Sequence, residues 1–142
     1  MKRIILISCV SKKRQVRSKA KDLYISTLFR KNLAYALKLK SEYIFILSAK
    51  YGLVELEKVI EPYDVTLNTM PASEIRKWAN RVIAQLSEKV DLQNDKFIFL
   101  AGDKYRKYLL PHINHYEIPL KGLRIGEQLQ RLTQLIEASH EH

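Results

Sequence analysis

The sequence predicts an α/β fold, a three-layer sandwich around a mainly parallel central sheet of about four strands, in a single domain over residues 1–142. Three observations predict it. Short apolar runs rich in β-branched and aromatic residues recur at Ile4–Ile7, Tyr43–Leu47 and Lys96–Ala101. Each is apolar on both alternating faces, as strands covered from both sides are in a parallel sheet. Between the runs lie longer stretches with helical periodicity, the crossovers that parallel strands require.

Ile4-Ile5-Leu6-Ile7 is read as the first, central strand. It opens into Ser8-Cys9-Val10-Ser11-Lys12-Lys13-Arg14, a loop that stays polar and basic to about Lys21. A loop between a buried strand and a helix can hold phosphate through its backbone N–H groups. This one has no glycine, so it is neither a Walker loop nor a dinucleotide loop, which argues against ordinary nucleoside triphosphate and NAD chemistry. Leu23, Phe29, Leu33, Ala36, Leu37 and Leu39 then recur at helical spacing, and Ser26-Thr27 can cap a helix from about Leu28 to Lys40. Tyr24 and Tyr35 are expected to pack with their hydroxyls in water.

The second strand, within Tyr43–Leu47, leads into Ser48-Ala49-Lys50-Tyr51-Gly52 and, ten or so residues on, the turn Glu61-Pro62-Tyr63-Asp64. Pro62 stiffens that turn. Pro71 suits the first turn of a helix whose Ile75, Trp78, Ala79, Val82, Ile83 and Leu86 form one apolar stripe, with Trp78 in the core. After the third strand come Gly102-Asp103-Lys104-Tyr105, a short helix from Tyr105 to Leu110, and a fourth strand at Tyr116-Glu117-Ile118. Ile125, Leu129, Leu132 and Ile136 mark a closing helix.

Hydrophobic content of 46% and charged content of 28% fit a globular domain. No apolar run approaches the roughly 18 residues a membrane span needs, and the opening Met1–Ile7 has too short an apolar stretch for a signal peptide. One cysteine leaves no intrachain disulfide, so a cytoplasmic setting is expected. Net charge is +10, and all of the surplus sits at the front. Residues 1–50 hold 13 Lys and Arg against Asp22 and Glu42, whereas the remainder is near neutral. Such asymmetry points to a polyanionic partner, nucleic acid or a phosphorylated nucleoside ligand. The bland alternative is a solvated basic face with no specific partner.

In an open α/β sheet, ligands bind beyond the carboxyl ends of the strands. Three strands end in polar segments, Ser8-Cys9, Ser48–Lys50 and Gly102-Asp103, which a parallel sheet brings to one edge. The expected ligand-binding set is therefore Ser8, Cys9, Lys12, Ser48, Tyr51, Gly52, Tyr63, Gly102 and Tyr105. Lys12 and Lys50 suit phosphate, and Tyr51 or Tyr63 suits base stacking. Asp64, held by the stiff turn, and Lys50 are the catalytic candidates; the plain reading of Asp64 is a turn-stabilising carboxylate. Cys9, followed by three cations, offers a nucleophile, although cysteine is also a common filler at strand ends. His112 and His115 lack partners at familiar ligand spacing, and His140-Glu141-His142 lies at the chain's end, so neither a metal nor another cofactor is expected.

Ile7-Ser8-Cys9 with Lys12-Lys13, Leu23-Tyr24-x-Ser26-x-Leu28-Phe29, Leu47-Ser48-Ala49-Lys50-Tyr51-Gly52-Leu53 and Glu61-Pro62-Tyr63-Asp64 together resemble a bacterial and phage family of unknown function. That family opens with Ser-Cys and lysines and carries Ser-Ala-Lys-Tyr/His-Gly-Leu before a Pro-Tyr-Asp turn. Pro119-Leu120-x-Gly122-Leu123-x-Ile125-Gly126-x-Gln128-Leu129 looks like its closing motif. The Leu-Ser-x-x-Tyr-Gly-Leu and Pro-Tyr pair is also similar to YaaA-type peroxide-stress proteins, which are linked to DNA binding. It is more distantly similar to archaeosine synthase, in a domain related to uracil-DNA glycosylases. This chain is much shorter than either and lacks the proline-rich opening of the YaaA type, so a peroxide-stress role is not carried over. The resemblance implies a nucleic-acid or nucleobase theme and assigns no catalytic residue.

The leading expectation is a nucleic-acid-linked protein with a nucleobase or nucleotide pocket. If it turns over substrate, N-glycosidic or base-modification chemistry is expected, with Asp64 as acid/base or charge stabiliser. The alternatives are a non-catalytic DNA- or RNA-binding module and a small-molecule hydrolase or transferase using Cys9.

Overall fold

A computed structural model describes residues 1–8 and 12–139. The chain forms strands β1 (Arg3–Ser8) and β2 (Ser18–Lys19), helices α1 (Ala20–Leu23) and α2 (Thr27–Lys38), and strands β3 (Tyr43–Ser48), β4 (Gly52–Glu55) and β5 (Val59–Ile60). Helix α3 (Ala72–Ser87), strand β6 (Lys96–Leu100), helix α4 (Asp103–Arg106), strand β7 (His115–Glu117) and helix α5 (Ile125–Ser139) follow.

The main sheet has five strands in the order β4-β3-β1-β6-β7. β1 pairs in parallel with β3 and β6, and β6 in parallel with β7. β1 takes the centre because Ile4, Ile5, Leu6 and Ile7 are all fully buried, which only a strand covered on both faces achieves. Helices flank the sheet: α2 packs on β1 and against α5, and α3 packs on β4. The fold is thus α/β with a mostly parallel sheet.

The sheet gains a strand over the expected count of about four because Gly52–Glu55 folds back antiparallel on β3. Gly52 turns the corner with φ of 75°, a conformation L side chains rarely adopt. The basic segment from Lys12 to Lys21, read as a loop, carries short pairings of its own. Lys13 bridges Tyr24, and Ser18–Lys19 pairs antiparallel with Val59–Ile60.

Helix α2 starts where its cap is, with the Ser26 hydroxyl accepting from the Phe29 N–H at 3.2 Å. Its buried face is not the purely apolar one expected. Phe29, Asn32 and Ala36 face inward, whereas Leu37 is 63% exposed. Tyr24 also departs from expectation: it is buried, and its hydroxyl bonds the Tyr63 hydroxyl at 2.5 Å instead of water. Trp78 is core as expected, and its indole N–H donates to the Ser48 carbonyl at 2.8 Å.

Candidate functional site at the carboxyl edge of the sheet

Parallel pairing places the carboxyl ends of β1, β3 and β6 on one edge. Ser8 lies opposite Leu47, and Ile7 opposite both Ile46 and Leu100. The Ser8 hydroxyl accepts a hydrogen bond from the Gly102 N–H at 3.0 Å, joining the end of β1 to the loop after β6. Ser48, at the end of β3, is fully buried, and its hydroxyl accepts from the Tyr51 N–H at 3.0 Å. A serine at a strand end thus has a local task, to satisfy a backbone donor where the ladder stops.

Beyond this edge the expected residues divide into two groups. On the β1–β6 side a cavity of about 550 Å³ opens, lined by Ser8, Gly102 and Tyr105 among the expected set. The deeply buried Phe29 and Phe99 supply apolar wall, and exposed Asp103 and Lys104, with partly exposed Arg106, supply charge. Lys104 Nζ donates to the Asn68 carbonyl at 3.0 Å, and the Arg106 guanidinium to the Ala101 carbonyl at 2.6 Å. Each cation keeps further N–H groups beyond the one so engaged. Residues Leu120, Gly122, Leu123 and Gln128 close the cavity from the C-terminal segment.

Asn32 also lines this cavity. Its side chain is 3% exposed, and its Oδ1 has no hydrogen-bond partner, the one such buried side-chain atom among the described residues. Burying an amide oxygen unpaired costs about 1–3 kcal/mol. The sequence carries a signal for Asn32: it lies three residues after Phe29 and four before Ala36, on the stripe that must face the sheet. Ser26, Asn68, Asp103, Lys104, Arg106 and Gln128 also line the cavity and stand outside the expected set, although Asp103 and Lys104 follow directly on Gly102 at the predicted strand end.

Lys12, Lys50, Tyr51, Tyr63 and Asp64 lie outside the cavity lining, as do Ser48 and Gly52. The exposed Lys50 ammonium sits 5.3 Å from the centre of the Tyr51 ring. Tyr51 meets Tyr63 edge to face at 5.8 Å. The buried Tyr63 ring is covered by Lys13 at 4.6 Å. These contacts extend through Tyr24 to Phe29 at 5.0 Å, so an aromatic chain runs from Tyr51 to the cavity wall. Asp64 is exposed, and no hydrogen bond or ion pair joins it to another described residue. Lys12 is exposed, and its carbonyl accepts from the Ile25 N–H at 3.0 Å. Gly52 serves the hairpin turn, where a Cβ would collide with Gln85 Oε1. Cys9 and His140-Glu141-His142 lie outside the described residues.

Part of the basic surplus is paired locally. Lys21 and Lys19 flank Glu57 at 2.9 and 3.1 Å, and Arg17 approaches Glu61 at 3.8 Å. The hydrogen bonds from Lys21 and Lys19 hold the Glu57 carboxyl below its ordinary range, and the bond to Glu57 raises Lys21. Among the described residues no three His, Cys, Asp or Glu side chains gather as metal ligands, and no helix is long and apolar enough to cross a membrane.

A model of a family of unknown function (DUF6884) matches residues 4–134. No curated protein and no solved structure matches the chain.

Proposed function

The chain belongs to DUF6884, a family of unknown function, and from that premise we propose a nucleic-acid-linked protein that receives one nucleobase or nucleotide in the cavity beyond β1 and β6. The observation that carries the reading is the cavity itself, about 550 Å³ at the carboxyl edge of a mostly parallel sheet, where α/β folds hold ligands. Its size falls within the roughly 300–1,000 Å³ of small-molecule sites. Its walls combine aromatic surface with a few polar groups, the lining that suits a flat heterocycle. Lys104 and Arg106 line the same cavity and supply positive charge of the kind a phosphate on that ligand needs. The resemblance read from the sequence motifs alone, to YaaA-type proteins and to the glycosylase-related domain of archaeosine synthase, points to the same theme.

Binding is the core of this proposal. A carboxylate near the ligand can serve a base-modifying or N-glycosidic step as acid, base or charge stabiliser, and Asp103 lines the cavity while Asp64 does not. A second reading is favoured by the charge asymmetry: a non-catalytic DNA- or RNA-binding module working through the basic first third.

The test is a thermal-shift and equilibrium-binding panel of free bases, nucleosides, nucleotides and single- and double-stranded DNA and RNA oligonucleotides, repeated across salt. A nucleoside or nucleotide should raise the melting temperature, because a ligand that binds only the folded state stabilises it. Nucleoside binding should be insensitive to salt, while oligonucleotide binding should weaken steeply. Oligonucleotide binding without any base, nucleoside or nucleotide binding would favour the second reading. No binding across the panel would end both.

A further inference from the structure

We propose that the cavity takes its nucleotide from within a single nucleic-acid strand, whose backbone phosphates lie on a basic rim formed by Lys12, Lys13 and Lys50. This rests on the reading that the cavity takes a base. The basic first third holds two kinds of cation. Arg17, Lys19 and Lys21 face the carboxylates of Glu61 and Glu57 and are neutralised there. Lys12, Lys13, Arg14 and Lys50 pair with no carboxylate among the described residues. Two of these rest on rings instead. The Lys13 ammonium lies 4.6 Å from the centre of the Tyr63 ring, and that of Lys50 lies 5.3 Å from the centre of Tyr51. A tyrosine ring holds an ammonium in place through its quadrupole and leaves the positive charge whole. Cations that are placed but not neutralised are what a polyanion needs.

The rim and the cavity are neighbours. The Lys12 carbonyl accepts from the Ile25 N–H at 3.0 Å, and the Arg14 N–H donates to the Leu23 carbonyl at 2.8 Å. The basic segment therefore runs beside the residues that lead into Ser26, which lines the cavity. Tyr51 meets Tyr63 at 5.8 Å, which joins Lys13 and Lys50 in one group of side chains. Arg81 ties the far end down by donating to the Lys50 carbonyl at 2.9 Å. The exposed carboxylates Asp22 and Asp64 adjoin Leu23 and Tyr63 in the chain, and Lys12, Lys13, Arg14 and Lys50 outnumber them. Cations leading to a cavity suit a row of phosphates leading to one base. A free nucleotide carries phosphate at one point only and has Lys104 and Arg106 for it within the cavity, which leaves the rim unused. A base in a duplex is paired and stacked and must be turned out before it enters a cavity, whereas a single strand offers it at less cost.

The experiment measures binding of nucleosides, nucleoside monophosphates and homopolymeric DNA and RNA oligonucleotides, single-stranded and duplex, across salt. Wild type is compared with the double variants Lys13→Gln, Lys50→Gln and Lys13→Arg, Lys50→Arg, and with Lys89→Gln, whose ammonium already faces Glu55. For the base whose nucleoside binds wild type, the single strand should bind about tenfold or more tightly than the monophosphate, and more tightly than the duplex. The glutamine pair should weaken strand binding about tenfold at low salt and make the log–log salt slope shallower by about 0.7 for each lysine removed. Nucleoside affinity should hold, the arginine pair should keep both affinity and slope, and Lys89→Gln should match wild type. A strand that binds no tighter than the monophosphate or the duplex, or a slope that the glutamine pair leaves unchanged, would overturn this inference and leave the pocket reading intact. An equal loss of nucleoside affinity would also overturn it, because the lysines would then act on the cavity or the fold. If the glutamine pair does not fold, Lys50→Gln alone supplies the slope. Failure of wild type to bind any nucleoside or nucleotide would overturn the inference together with the reading it rests on.

Discussion

The Ser8 hydroxyl and the Gly102 backbone N–H lie 3.0 Å apart, so a side chain closes the sheet edge where the β1–β6 ladder stops. The bond spans 94 residues of sequence and fixes the loop that leads to Asp103, Lys104 and Arg106. Ser8→Ala should cost about 0.5–1.5 kcal/mol, the net worth of one such bond. Amide exchange should show it most clearly: the Gly102 N–H should exchange faster in the variant while the β1 and β6 core amides stay protected. Equal exchange at Gly102 would mean that the bond does not hold the loop.

Trp78 ties α3 to the end of β3 through its bond to the Ser48 carbonyl at 2.8 Å, and its ring meets Tyr105 edge to face at 5.5 Å. Trp78→Phe keeps an aromatic ring but removes the donor and some volume. The expected loss is about 2–4 kcal/mol, from an unpaired buried carbonyl plus a small cavity. A shift in the denaturant midpoint at constant slope would measure it.

Gly52 has two independent reasons to lack a side chain. Its φ is 75°, and a Cβ would strike the Gln85 amide oxygen, which accepts from the Leu53 N–H at 2.9 Å. Gly52→Ala should therefore destabilise by about 2–3 kcal/mol, since backbone strain and a displaced hydrogen bond add. Gln85→Ala should relieve only the clash, so the double variant should remain less stable than Gln85→Ala alone.

Asp95 begins β6 by accepting two backbone donors, Lys2 N–H at 2.8 Å and Asp91 N–H at 2.9 Å, while 5% exposed. Both donors lose a charged acceptor in Asp95→Ala, and about 2–3 kcal/mol should go with them. Exchange at Lys2 and Asp91 should rise in parallel with the fall in global stability.

The Lys21–Glu57 pair sets a pH dependence with a definite sign. Glu57 is lowered from its ordinary 4.5 by its bonds to Lys21 and Lys19, so its contribution is present above that value and fades as pH falls below it. Lys21 is raised from 10.5 by the same bond, so its contribution is full below that value and is lost as pH rises past it. Both groups are at the surface, so the stability effect is small and salt-sensitive. A side-chain titration of Glu57 by NMR should give a midpoint under 4.5 that moves back up in Lys21→Met.

Much of the frame was legible in the chain because burial leaves a local trace. Ile4–Ile7 is apolar at every position, so its strand had to be covered on both faces and hence central. The α3 stripe named its own core residues, Trp78 included, and the parallel order followed from helices lying between buried strands. From that order the meeting of Ser8 and Gly102 at one edge follows geometrically. Asn32 was also within reach, through its place between Phe29 and Ala36, but a stripe judged by hydrophobicity passes over a polar member.

What the sequence alone determined is therefore where the three long buried strands and the three long helices lie, that those strands are covered, and which edge their polar ends share, because periodicity is a property of neighbours along the chain. Only the tertiary structure decided how that edge divides. It folded Gly52–Glu55 back on β3, packed Tyr63 between Lys13, Tyr24 and Tyr51, and left Lys50 and Asp64 outside the cavity that Ser8, Gly102, Tyr105 and Asn32 line. These outcomes depend on pairings between residues tens of positions apart. Such pairings are settled by which surfaces fit when the helices close over the sheet, and no local pattern carries that information.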